Sequence, residues 1–530
     1  MRSKNRTIIL ITALSIGLDA TAQDANIRCK IKAESGRKGD KEWVIKNMVK
    51  GDEGALVALK VPLGKSAWGG VPQGSNPWIL ETFDRKDLRS IKRTEHKMVY
   101  GIGPVAMETI VRQDRKVWLI GTKAQKEKGT VAILAQEIDP RSLTARKGAF
   151  LLAELPYGSF GKEASWFAAD QAVGLEAELA VDSSAFVLRI SPESSTKVAS
   201  PHFTAVFRKD RTLYWARSLQ ADPAARDLEV LSSFCDGEGS VWYLVKHITD
   251  PKPKGADVLG YEMVVCKLDS SGQSQVALDL PGSDVVRHAR MVPDKNGRPL
   301  VVGVYAEKEM RRERSAGLFQ VTLDGTSLEW GPFKKHEFQK KTVDDKVELQ
   351  RDMYVHSVHV LRNNGVVALC DERDLRTEQS KNFANQPITR ESYINRDMHV
   401  MRLDGEGDLV WYTVVARNVS LGMQGPGDPV ALSHGNGYFI LINDEADNEE
   451  VRKEGGAVPE YTGGGESLIL EFQEGGSYKT KMAIDDRYGT GFIRSDVLWP
   501  TSGNEICLLG AYKLDGEETF PIAIQFEESR

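Results

Sequence analysis

Val400-Met401-Arg402-Leu403-Asp404-Gly405-Glu406-Gly407-Asp408-Leu409-Val410-Trp411 reads as a strand, a polar turn and a second strand. Asp404-Gly405 and Gly407 supply the turn, because Gly accepts the positive φ that short hairpins demand and Asp bonds its own backbone. The same unit returns along the chain. A clear copy is Phe319-Gln320-Val321-Thr322-Leu323-Asp324-Gly325-Thr326-Ser327-Leu328-Glu329-Trp330, and others cover 264–280, broken at Asp269-Ser270-Ser271-Gly272, and 203–219, broken at Lys209-Asp210-Arg211. Weaker copies cover 79–92, 132–152 and 468–482, and an eighth begins at 522–526.

Ahead of each copy lies a tighter turn that feeds an apolar strand. Gly51-Asp52-Glu53-Gly54 precedes 55–61, Asp114-Arg115 precedes 117–120, Asp182-Ser183-Ser184 precedes 186–190, and Asp236-Gly237-Glu238-Gly239 precedes 241–245. Lys295-Asn296-Gly297, Asn363-Asn364-Gly365, His434-Gly435-Asn436-Gly437 and Ser502-Gly503-Asn504 do the same for the four later strands. Short four-stranded units returning roughly every 55–70 residues point to an all-β chain arranged as one β-propeller of eight blades over residues 23–530. A pair of β-sandwiches or a β-solenoid is the rival arrangement. The last unit stops after three strands, and the run Asn26-Ile27-Arg28-Cys29-Lys30-Ile31-Lys32 has no hairpin partner nearby. It is expected to pair with the C-terminal blade as the missing outer strand and so close the ring.

The first 22 residues read as a signal peptide: basic Arg2, Lys4 and Arg6, an apolar run over 7–18, then the small-x-small site Ala20-Thr21-Ala22. The run is too short to span a bilayer, which takes about 20 residues. A secreted, periplasmic or cell-surface protein starting at Gln23 is the expectation, with no membrane insertion. Cleavage removes three basic residues and one acidic residue, so the formal charge moves from −5 to −7. That balance argues against a nucleic-acid partner, which calls for a basic face. Five cysteines with no C-x-x-C spacing read as small buried hydrophobes rather than a disulfide frame.

Asp404 to Trp411 resembles the repeats of quinoprotein-type eight-bladed propellers, and Asp236-Gly237-Glu238-Gly239-Ser240-Val241-Trp242 is similar to those of sensor-type propellers. The resemblance implies fold and no specific family. Quinoprotein enzymes of that type carry an adjacent cysteine pair, which this chain lacks, and the Ser-x-Asp-x-Gly-x-x-Trp box of sialidase-like propellers is also missing.

In such a ring the turns between strands a and b share one face with those between c and d, and the b–c and d–a connections share the other. The b–c connections are the long ones here: 62–76, 246–260, 306–316, 371–396 and 444–466, joined by the d–a connections 157–173 and 334–352, each expected to hold a short helix. Long loops on a rigid frame are where binding and catalysis concentrate. A protein or glycan partner on that face is the leading functional reading, with Trp68, Tyr354 and Arg287 as candidate contacts. The alternative is a hydrolase or lyase acting on a glycan or lactone-like substrate at the channel mouth. In it His288 or His356 serves as general base and Arg290 or Arg494 balances developing negative charge, with Asp496 nearby. No cofactor is indicated and no residue is assigned to a metal. His356 and His359 are three apart, and odd separations on a strand point to opposite faces. Asp444-Glu445-Ala446-Asp447-Asn448-Glu449-Glu450 lacks calcium-loop spacing and reads as a solvated acidic loop. Gly-x-Ser-x-Gly and His-Glu-x-x-His are absent.

Overall fold

The computed structural model describes residues 27–33 and 43–528, leaving out 52–54, 63–77, 102–104, 114, 158–174, 191–201, 251–259, 283, 308–313, 340, 344–345, 349–351, 382–386, 420–427, 446, 462–465, 485–491, 503–504 and 512–518. Each expected a–b turn joins two antiparallel strands, and the chain lays down eight four-stranded sheets, designated blades I to VIII in chain order. Arg115, Ser183, Gly239, Gly297, Asn364 and Gly435 all adopt positive φ in these turns, as the turn chemistry demands. The aspartates fix the turns as well. Asp236 Oδ1 accepts from the Glu238 and Ser240 amides at 3.0 and 2.8 Å, and its Oδ2 from Trp242 Nε1 at 2.8 Å.

Blade VIII is made of Phe492–Ser502, Glu505–Ala511 and Thr519–Glu528, with Ile27–Ala33 as its outer strand. Ile27 pairs with Glu528 and Ala33 with Ile522, so the expected pairing of the N-terminal run with the last blade is present. Blade VIII also packs on blade I: Leu56 and Phe83 share an apolar cluster with Cys507 and Ala523, and Arg85 pairs with the buried Glu505. Neighbouring blades are held by such shared cores. Trp411 of blade VI, for example, stacks on Phe472 of blade VII at 5.7 Å.

Several sequence expectations need correction. Strand d of blade V is Lys334–Glu337, later than the Leu328-Glu329-Trp330 run, which only makes a single bridge from Trp330 back to Leu323. The connection after it holds a small hairpin, Lys341–Val343 with Lys346–Glu348, instead of a helix. Residues 371–396 are no open loop. Strand b of blade VI, Val366–Lys381, and strand c, Pro387–Leu403, stay paired far beyond the blade and stand out as a two-stranded ribbon. The sequence of 371–396 is rich in charged residues and shows no apolar alternation, so it does not read as paired strands. Asp444 does not belong to a solvated loop either. It is buried, accepts from Asn448 Nδ2 at 2.6 Å and pairs with Arg452 at the far end of the helix Asn448–Lys453.

All five cysteines are free; four are buried, and burial pushes the Cys235 and Cys266 thiols up to about 12. Among the described residues no helix is long and apolar enough to cross a membrane.

Candidate functional site at the long-loop end of blades V to VII

The innermost strand of most blades carries an irregularity at nearly the same height. Pairing of strands a and b slips by one residue at Lys46, Glu108, Leu231, Arg287 and His356, in blades I, II, IV, V and VI, and over Ser495-Asp496-Val497 in blade VIII. A bulge leaves its extra residue out of the ladder and re-aims its side chain. Two of the residues so placed, Arg287 and His356, are among those singled out from sequence, and Asp496 lies within the third-longest strand's wider slip. The strict alternation used to separate His356 from His359 therefore fails at His356 itself.

Blades V and VI meet through these strands. In Asp284–Pro293, strand a of blade V, His288 and Arg290 point to one side; in Met353–Val360, strand a of blade VI, Tyr354 lies against them. Arg290 Nη2 donates to the Tyr354 hydroxyl at 2.9 Å, and Arg290 Nη1 donates to the Leu231 carbonyl at the bulge of blade IV. The His288 ring centroid is 3.8 Å from that of Tyr354, and the Arg373 guanidinium carbon is 3.7 Å from it. Two groups this close to one centroid must take one face each, so Tyr354 offers no free platform for a sugar ring.

His288 is held neutral. Burial pulls its imidazole well below the usual value, and Arg290, Arg373, Lys246 and His356 add to the effect. Its Nδ1 accepts the Val355 amide at 3.2 Å, which leaves the proton on Nε2. His288 is thus arranged to donate a hydrogen bond, which disfavours the general-base role considered for it.

Next to this stack lies a group that sequence reading did not assemble. His356, Asp371 and Asp428 each bring a potential ligand atom within 4.8 Å of the others. Asp371 ends the blade portion of strand b and faces Tyr354 in the ladder; Asp428 precedes Val430–His434, the first strand of blade VII. Asp371 is fully buried, and among the described residues neither of its carboxylate oxygens has a hydrogen-bond partner. The same holds for His356 Nδ1 and for all three guanidinium nitrogens of Arg417, whose nearest approach to Asp371 is 3.9 Å. Burial lowers the His356 pKa, with Asp371 and Asp428 opposing. Asp428 accepts from Asn395 Nδ2 at 3.0 Å and lies 3.5 Å from Arg373 Nη2.

The root of the ribbon frames this group. Asn395 exchanges both backbone hydrogen bonds with Val419, Val419 bridges to Tyr461, and Arg396 binds Asp374 and Asn418 at 3.1 and 3.3 Å. Three connections on the long-loop face are thereby tied together. Of the other sequence candidates, Trp68 lies outside the described residues. Arg494 and Asp496 fall on strand a of blade VIII, whose side chains at those positions lie outside them too.

A cavity of about 550 Å³ opens at the opposite end of the axis, lined by Val181, Asp294, Lys295, Arg362, His434 and neighbours. Two of its polar groups are already in use. Asp294 takes the Asn296 and Arg298 amides and Arg298 Nε, and His434 stacks on Phe526. Volume and chemistry therefore lie at different ends, and the unfilled valences mark the long-loop end.

No protein-family model matches this chain, and no curated protein does. Solved structures to which it is similar include the β-propeller domain of the Trilobed protease from Pyrococcus furiosus, at 10% identity and a TM-score of 0.35, covering 84% of this chain and 97% of that one. Others are a quinohemoprotein alcohol dehydrogenase from Comamonas testosteroni, at 10% identity, 0.40, and coverage of 96% and 77%, and the periplasmic gluconolactonase PpgL of Pseudomonas aeruginosa, at 12%, 0.31, and 78% and 93%. At these values the likeness says nothing of function. The strand pairings themselves make the chain a propeller repeat protein of no specific family.

Proposed function

We propose that this is an exported binding propeller that holds a protein or glycan partner on the long-loop face of blades V to VII. The observation that carries this reading is the ribbon of blade VI. Its root is pinned by Asn395, Arg396 and Val419 to the connections beside it, so an arm projects from a braced base. Ordering that base before a partner arrives lowers the entropy cost of binding. Residues 1–22, with their basic, apolar and small-residue order, support export.

A second reading has its own support. His288, Arg290, Tyr354 and His356 converge at the same mouth, a donor–cation–phenol set suited to a hydrolase or lyase acting on an acidic glycan or a lactone.

One experiment addresses both. The protein recovered from the exported fraction, where its chain should begin at Gln23, is compared with a variant in which 375–394 is replaced by a two-residue Asn-Gly turn. Both are run on an array of neutral and acidic polysaccharides, with product formation followed in parallel. Capture lost in the variant without turnover in either protein supports the binding reading. Turnover by the wild type that disappears on His288→Ala supports the enzyme. Capture equal in both proteins removes the ribbon from the function.

A further inference from the structure

We infer that His356, Asp371 and Asp428 form a site for a first-row transition dication of the Zn²⁺ type at the long-loop end of the axis. This inference does not rest on either functional reading. Three elements supply one donor each: the inner-strand bulge of blade VI, the part of its second strand where the ribbon begins, and the connection into blade VII. Donor atoms that lie within 4.8 Å of one another need only small inward shifts to share one ion at about 2.0–2.2 Å from each.

The independent indication is the state of Asp371. Among the described residues, a carboxylate with no exposed surface and no hydrogen bond to either oxygen has its desolvation cost offset only by the charge of Arg417 at 3.9 Å, and its lone pairs stay unfilled. His356 presents a buried Nδ1 in the same condition. Ion pairing with Arg417 does not fill these valences. At 3.9 Å the guanidinium is beyond hydrogen-bond reach, and its own nitrogens are unbonded as well. The alternation of an ordinary strand would not bring His356 here; the bulge does.

The donor set selects the ion. One imidazole with two carboxylates suits zinc and its neighbours, whereas Ca²⁺ takes six to eight oxygens and gains nothing from imidazole. Asp428 is half-exposed, so water or a ligand can reach the remaining positions. Arg373 and Arg417 set the limit on affinity. Their charges already balance those of the two aspartates, and Arg373 competes directly for Asp428 at 3.5 Å.

That competition gives the test its discriminating arm. The full mature chain, stripped with chelator at pH 7, is titrated calorimetrically with Zn²⁺ and separately with Ca²⁺. One Zn²⁺ per chain is expected, with Ca²⁺ at least about tenfold weaker. Asp428→Asn, Asp371→Asn and His356→Ala should each weaken Zn²⁺ roughly 10–100-fold, in the range that loss of a metal-supporting group produces. Arg373→Gln should tighten it several-fold, and His359→Ala should leave it unchanged. Asp428 is on the surface, so its variant keeps the test sound should the buried ones fail to fold. Absence of saturable Zn²⁺ binding in the wild type, binding that survives in the ligand variants, or weaker binding in Arg373→Gln would each overturn the site.

Discussion

Blades II and VI use one backbone device to opposite ends. In both, the inner strand slips by one residue at the same height and turns a polar side chain inward, Glu108 in blade II and His356 in blade VI. Glu108 is fully buried and satisfied: Thr122 donates to it at 2.6 Å, the Leu175 amide of blade III at 3.3 Å, and Lys46, the bulge residue of blade I, sits 3.6 Å away. That carboxylate stitches three blades together. His356 faces two carboxylates, and between them hydrogen-bonding capacity is left open. A fully used bulge serves the fold, and an unfilled one is placed for something the chain does not itself contain.

The contrast is measurable through isosteric amides. Glu108→Gln confronts three donors with a group that donates in part, and should cost about 3 kcal/mol in urea unfolding, the scale of hydrogen bonds to a charged group. Asp371→Asn removes no hydrogen bond, only the 3.9 Å charge contact with Arg417, and should cost less than Glu108→Gln in metal-free protein. Equal losses in the two variants would mean that Asp371 is as structural as Glu108, and the distinction between the blades would collapse.

Much of the frame was legible beforehand, and the reason is local. Each a–b turn carries Gly, Asn or Asp where positive φ or a side-chain-to-amide bond is needed, a demand set by a few adjacent residues. The partner of the N-terminal strand was legible by counting, since one blade lacked a strand and one strand lacked a blade. The candidate site was half legible. His288, Arg290, Tyr354 and His356 stood out as polar residues on inner strands, and they do converge. Asp371 and Asp428 did not stand out. In the sequence Asp371 reads as the start of a long connection and Asp428 as part of another. Only the pairing of the first two strands of blade VI, together with the packing of the connection into blade VII against them, joins the two to His356. The bulges were silent too, because one extra residue in a strand leaves composition and turn chemistry unchanged.

His359, on the same strand as His356, sharpens the comparison at shorter range. It too is inward, yet its Nδ1 meets Ser433 Oγ at 3.1 Å and its ring packs edge-on against Tyr438. Burial, with His356 adding, pulls its pKa down to about 4. The unfolded chain, with His near 6.5, takes up the proton first, so stability present above pH 6.5 declines as pH falls toward 4. About 2 kcal/mol of that decline should be missing in His359→Gln, read as the difference between the two proteins' urea midpoints at pH 6.5 and 4.5. His288 and His356 stay in both proteins, so their shared acid limb cancels. An unchanged slope would show that His359 titrates in the fold as it does in the unfolded chain.

The smallest effect belongs to the far end of the axis, where the 550 Å³ cavity lies and Asp294 is already hydrogen-bonded. Asp294→Ala removes three hydrogen bonds, from Asn296 N, Arg298 N and Arg298 Nε, but all of them lie in a surface turn where water replaces the lost partners. A loss of about 1 kcal/mol is expected, with Zn²⁺ and polysaccharide binding unaltered. If ligand capture fell with Asp294 instead, the 550 Å³ mouth would have to be counted as a binding surface, and unfilled valence would no longer be the better guide than volume to where this propeller works.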